Sequence, residues 1–151
     1  YGYQKAAADR HRLAVDEEAA AVVRRIYREF LAGRGLSAIA RALTAAGVPT
    51  PYAYKQARGE ALRLPHVKGG WAATTVRKIL TNPVYRGALA QGRETTRSYK
   101  DKTRVRRPPE AWVVVEDTHP ALVSPAEFAA VQAELESRQK RRAGKKKADG
   151  P

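Results

Sequence analysis

Thr74, Arg77, Lys78 and Thr81 stand at i, i+3, i+4 and i+7, which places them on one side of a helix if that segment is helical. Arginine and lysine donate to guanine acceptors in the major groove of DNA, and threonine offers a hydroxyl, or a methyl to thymine. Each well-made base contact is worth roughly 1–3 kcal/mol of discrimination. The competing reading of the same face is a solvated surface with no ligand. Further cations cluster around this segment. Lys5, Arg10 and Arg12 lie near the N-terminus, Arg104, Arg106 and Arg107 in the middle, and Arg138, Lys140, Arg141 and Arg142 near the C-terminus. Clusters of this kind suit phosphates, and each phosphate neutralised adds about −0.9 to the slope of log affinity against log salt.

Other chemistry finds little support. His11, His66 and His119 fall in separate loops without metal-ligand spacing. Asp16, Glu17 and Glu18 sit at a helix start, where capping and the helix dipole account for them. Ser37 and Ser124 read as helix caps, and Ser98 and Ser137 have no base at a recognisable spacing. Gly69-Gly70 and Gly33-Arg34-Gly35 lack the strand–loop–helix context and the lysine of a phosphate-cradling loop. Cysteine is absent, which excludes disulfides, thiolate nucleophiles and Cys-ligated zinc within these residues. We therefore expect no catalytic site, no metal and no cofactor here.

Net charge explains why nucleic acid heads the list of partners. The 151 residues hold 29 Lys+Arg against 15 Asp+Glu, a formal charge of +14, with a pI near 10.4. That excess is clustered, as in proteins that bind polyanions. At 43% hydrophobic residues, one compact domain is expected. No stretch approaches the roughly 18 apolar residues of a bilayer span, so no membrane partner is expected and a cytoplasmic setting fits. The absence of methionine predicts a piece of a longer protein.

The elements follow from periodicity. Ala19, Val22, Val23, Ile26, Tyr27, Phe30 and Leu31 form one apolar stripe after Asp16, and Gly33 supplies a left-handed stop. A second helix is expected over about Ala38 to Ala46, capped by Ser37 and ended by Gly47. Tyr52 to Gly70 reads as a basic loop, and a third helix starts at Trp71 with Val76, Ile79 and Leu80 inward and Asn82-Pro83 as its stop. Tyr85–Gln91 and Glu110–Asp117 read as strands paired antiparallel across a basic loop. Ser124-Pro125-Ala126-Glu127 starts a last helix by a capping box, and the apolar pattern ends after Ser137. The fold class is α+β: a helix-turn-helix-like three-helix unit, then an antiparallel hairpin or small sheet, then a C-terminal helix. The third helix lies across the second with its polar side out, as a groove-reading helix does.

An ordered set of short segments resembles the recombinase domain of large serine recombinases, the phage integrases and their transposon-encoded relatives. These are Tyr1-Gly2-Tyr3, Leu13 to Ala19, Val22 to Tyr27, Leu36 to Ala40 with Leu43, and Gly47-Val48-Pro49-Thr50-Pro51. Trp71 with Val76, Ile79-Leu80, Asn82-Pro83, Tyr85 and Gly87 matches a second signature, and His119 to Ser124 a third. Ala72 departs from the small polar cap that the family pattern often has there, a loss of about 0.5–2 kcal/mol of helix stability.

The resemblance implies a module that grips half of an attachment site in double-stranded DNA, alongside other recombinase subunits. It also implies that an upstream resolvase-like domain carries the nucleophilic serine. On this reading residues 1–138 are the DNA-binding domain and 139–151 a basic linker, and the fragment binds without cutting. A basic RNA-binding or ribosome-associated protein is the alternative, with the same charge and no base readout.

Overall fold

The computed structural model describes residues 1–5, 13–59, 70–91, 94–96, 100, 104–106, 113–116 and 118–148. The chain opens with a short antiparallel pair, β1 (Tyr3–Lys5) against β2 (Leu13–Val15), with Gln4 opposite Ala14. Four helices follow: α1 (Glu17–Leu31), α2 (Leu36–Ala45), α3 (Pro51–Ala57) and α4 (Ala73–Thr81). A 3-10 turn, Pro83–Arg86, leads to β3 (Leu89–Gln91). Next come β4 (Glu94–Thr96), β5 (Arg104–Arg106), β6 (Val113–Val115) and the long helix α5 (Pro125–Ala148). β3 pairs with β6 and β4 with β5, both antiparallel. The α+β class and the order of helical unit, strand pairs and last helix are as expected.

One core joins the helices. Val23, Ile26, Tyr27 and Phe30 of α1 meet Ile39 and Leu43 of α2, Val76 and Leu80 of α4, and Val131 and Leu135 of α5. Tyr85, Leu122 and Val123 close one end. Transfer of such side chains from water stabilises the fold by about 1.5–3 kcal/mol each before chain entropy is counted. α4 packs chiefly on α2, so the helix with the polar face does lie against the helix expected to precede it, although α3 comes between them in the chain.

Several local expectations are corrected. Tyr52 to Gly70 is not wholly loop: Thr50 caps α3 by accepting from the Ala53 N–H at 3.1 Å, and Pro51 opens it. Asp16 sits at the α1 N-cap without capping it, because its carboxylate is taken by Tyr54 and Arg58. Gly35, not Ser37, is the N-cap of α2. The third helix begins at Ala73, with Ala72 as an N-cap that makes no side-chain bond.

Tyr85 belongs to the 3-10 turn, and Gly87 is not strand but a left-handed residue (φ 89°). A Cβ at Gly87 would meet the His119 carbonyl at 2.9 Å, so backbone proximity requires glycine there. The N-terminal residues, for which no element was expected, include the β1–β2 pair, and the Asp16 N–H donates to the Gly2 carbonyl at 3.0 Å. Residues 139–148, within the stretch read as a basic linker, continue α5. The Ser124–Glu127 capping box is present, with both reciprocal bonds at 3.1–3.2 Å.

Candidate nucleic-acid interface

α4 is held at both ends by other elements, which is what lets its outer face keep a fixed direction. At its entry the Trp71 N–H donates to Thr44 Oγ1 at 3.0 Å, and the indole N–H to the Val48 carbonyl at 3.0 Å. At its exit Tyr27 donates to the Ile79 carbonyl and Gln132 to the Leu80 carbonyl, at 2.9 and 2.7 Å. Val76, Ile79 and Leu80 are buried beneath. Thr74, Arg77 and Lys78 are exposed on the opposite face, and Thr81 is half-buried. The Thr81 hydroxyl donates back to the Arg77 carbonyl at 2.9 Å, which takes its proton away from any outside acceptor.

The cations of α5 differ in how committed they are. Arg138 donates from Nε to Glu134 at 2.8 Å and from Nη1 to the Arg34 carbonyl at 2.9 Å, and lies 4.3 Å above the Phe30 ring. Its hydrogen bond holds the Glu134 carboxyl below the usual carboxylate range. Arg141 shares Glu134 at 3.2 Å, and Lys140 pairs with Glu136 at 2.9 Å. Arg142 is exposed and makes no ion pair among the described residues.

The fold brings part of the expected set together. Arg77, Arg138 and Arg142 line one cleft of about 260 Å3, with Gln139 beside them and Leu36 and Leu135 in its walls. Leu135, Arg138, Gln139 and Arg142 share an α5 face at i, i+3, i+4 and i+7. That spacing is the signal that could have placed them together, and it is masked by the end of the apolar pattern at Ser137. Elsewhere, Lys5 stands opposite Leu13 at the end of the N-terminal pair. Arg104 and Arg106 stand opposite Thr96 and Glu94 in β5. Arg10, Arg12 and Arg107 lie outside the described residues. Among the described residues no group of three or more His, Cys, Asp or Glu could hold a metal ion, and no helix is long and apolar enough to cross a membrane.

A family model described as Recombinase matches residues 17–138. The chain belongs to the Recombinase family. That span runs from the first turn of α1 to Arg138 and takes in the whole helical core, as the resemblance to the large serine recombinases implied. The Recombinase chain is 36% identical over 72 residues to the uncharacterized protein YefB of Bacillus subtilis (strain 168), a match covering 48% of this chain and 24% of that protein. It is also similar to a solved chain described as "Crystal Structure of a LSR-DNA Complex", with 23% identity and a TM-score of 0.47, over 93% of this chain and 31% of that one. The Recombinase chain thus spans less than a third of the length of each of these two relatives.

Proposed function

We propose that this chain is the double-stranded DNA-binding module of a large serine recombinase, reading one half of an attachment site for integration or excision. α4 enters the major groove, with Thr74 and Lys78 toward base edges, Thr81 offering its methyl and Arg77 toward a phosphate at the groove edge. Lys5, Arg10, Arg12, Arg104, Arg106, Arg107, Arg138, Lys140, Arg141 and Arg142 serve the phosphates, and residues 139–151 link toward the next domain. Strand cleavage belongs to a catalytic unit elsewhere in the parent protein, and other recombinase subunits join this one on DNA. No cofactor is required for binding.

The observation that carries the reading is the polar face of α4. It is exposed opposite a fully buried edge, on a helix fixed at both termini, in a chain of charge +14. Family membership supports it. A site selected from randomised duplexes supplies the test sequence. Lys78→Ala should weaken binding to that site about 5- to 150-fold more than to random duplex, in line with roughly 1–3 kcal/mol per contact. Equal losses on both duplexes would reduce α4 to a phosphate gripper. Tighter binding to structured RNA than to duplex at fixed salt would favour the ribosome-associated alternative. Reproducible nicking of supercoiled plasmid would overturn the reading that this chain does not cut.

A further inference from the structure

The cleft between α4 and α5 gathers cations without an anion. Among the described residues, Arg77, Arg138 and Arg142 line it and no carboxylate does. Several other arginines are paired: Arg24 with Glu17, Arg34 with Glu29, Arg86 with Glu116. Glu134, the carboxylate nearest the cleft along α5, is already shared by Arg138 and Arg141. Arg77 and Arg142 make no ion pair among the described residues. Arg138 is oriented by Glu134, the Arg34 carbonyl and the Phe30 ring, and none of those contacts uses its Nη2. Guanidiniums crowded around a partly apolar cleft repel one another, and a bound anion converts that repulsion into attraction. Their planar forks match phosphate oxygens.

We propose that this cleft seats a single phosphate group, held by Arg77 from α4 and by Arg138 and Arg142 from α5. Resting on the reading of the chain as a DNA binder, that phosphate is one of the duplex backbone. It locks the angle between the two helices, so Thr74 and Lys78 meet the groove in a fixed register. Arg138 acts as the preset wall of the seat, and Arg77 and Arg142 close on the phosphate.

The test uses the full chain with Arg77→Gln, Arg142→Gln and the double variant, each checked for native circular dichroism. Random duplex binding is followed against salt. If both arginines serve one phosphate, the double variant lowers the salt slope by about 0.9. A drop of about 1.8 would mean two separate phosphates and overturn the seat. An unchanged slope with intact duplex binding would overturn it too, while leaving the DNA-binding reading in place. Should the wild type bind no duplex, that reading falls and inorganic phosphate decides the cleft. A rise in the wild-type melting midpoint over chloride of matched ionic strength, lost in the double variant, supports a seat for the free anion. Equal rises in both proteins overturn it.

Discussion

The Tyr27 hydroxyl donates to the Ile79 carbonyl at 2.9 Å, in place of the N–H that the residue four positions on, Pro83, lacks. The next carbonyl, Leu80, receives Gln132 Nε2 at 2.7 Å, because the Val84 N–H is taken by Asn82 Oδ1. α1 and α5 thus complete the C-terminal end of the helix proposed to read DNA.

Tyr27→Phe leaves that buried carbonyl without a donor and should destabilise the fold by about 1–3 kcal/mol. Gln132→Ala, at a half-buried position, should cost less, about 0.5–1.5 kcal/mol. Urea midpoints at constant m-value check both, and a smaller loss for Tyr27→Phe than for Gln132→Ala would contradict this ranking.

Alkali should unfold the protein through its tyrosines. Burial pushes the Tyr27 and Tyr85 phenols far above their ordinary value and Tyr3 up to about 12. In the unfolded chain these groups lose protons near pH ~10, so above that pH the unfolded state binds fewer protons than the folded one. Stability is therefore intact below about pH 10 and falls as pH rises further. Urea midpoints between about pH 8 and about pH 11 should show the decline, and a Tyr27→Phe/Tyr85→Phe variant should flatten it.

Two glycines should respond in opposite directions. Gly87→Ala forces a side chain into a left-handed residue against the His119 carbonyl, at a cost of about 1–3 kcal/mol. Gly144 lies within α5, and a methyl group there would meet nothing within 4 Å, so Gly144→Ala should add about 0.5–1 kcal/mol of helix stability. Thermal melts test the first and the helical dichroism signal the second.

Lys145, Lys146 and Lys147 are exposed at the end of α5. Replacing all three by glutamine should reduce the salt slope of duplex binding by up to about 2.7 and weaken cognate and random duplex alike. A loss confined to the cognate site would assign them to base readout instead.

The long helices were legible because their apolar stripes have one period and one buried side, as Val23, Ile26, Tyr27 and Phe30 show. Short elements were harder. β1 and β2 have three residues each, too few for alternation to register. α3 was hidden by Pro49 and Pro51, although Thr50 followed by Pro51 is itself a helix start. Asp16 looked like a cap because sequence cannot display Tyr54 and Arg58, some forty positions away. α5 runs past its apolar stripe on ion pairs such as Glu136 with Lys140, a source of support that a hydrophobic pattern does not register. The donor types of the candidate interface could be named in advance. The convergence of Arg77 with Arg138 and Arg142 could not, since it is made by tertiary packing.

Both approaches to α4 are anchored by residues on either side of positions 60–69. On one side Tyr54 and Arg58 grip Asp16, and on the other Trp71 is bonded to Thr44 and Val48 while Gly70 lies against the Thr44 side chain, too close for a Cβ. Thr44 therefore secures the entry to α4 twice over, by accepting from the Trp71 N–H and by closing the space beside Gly70.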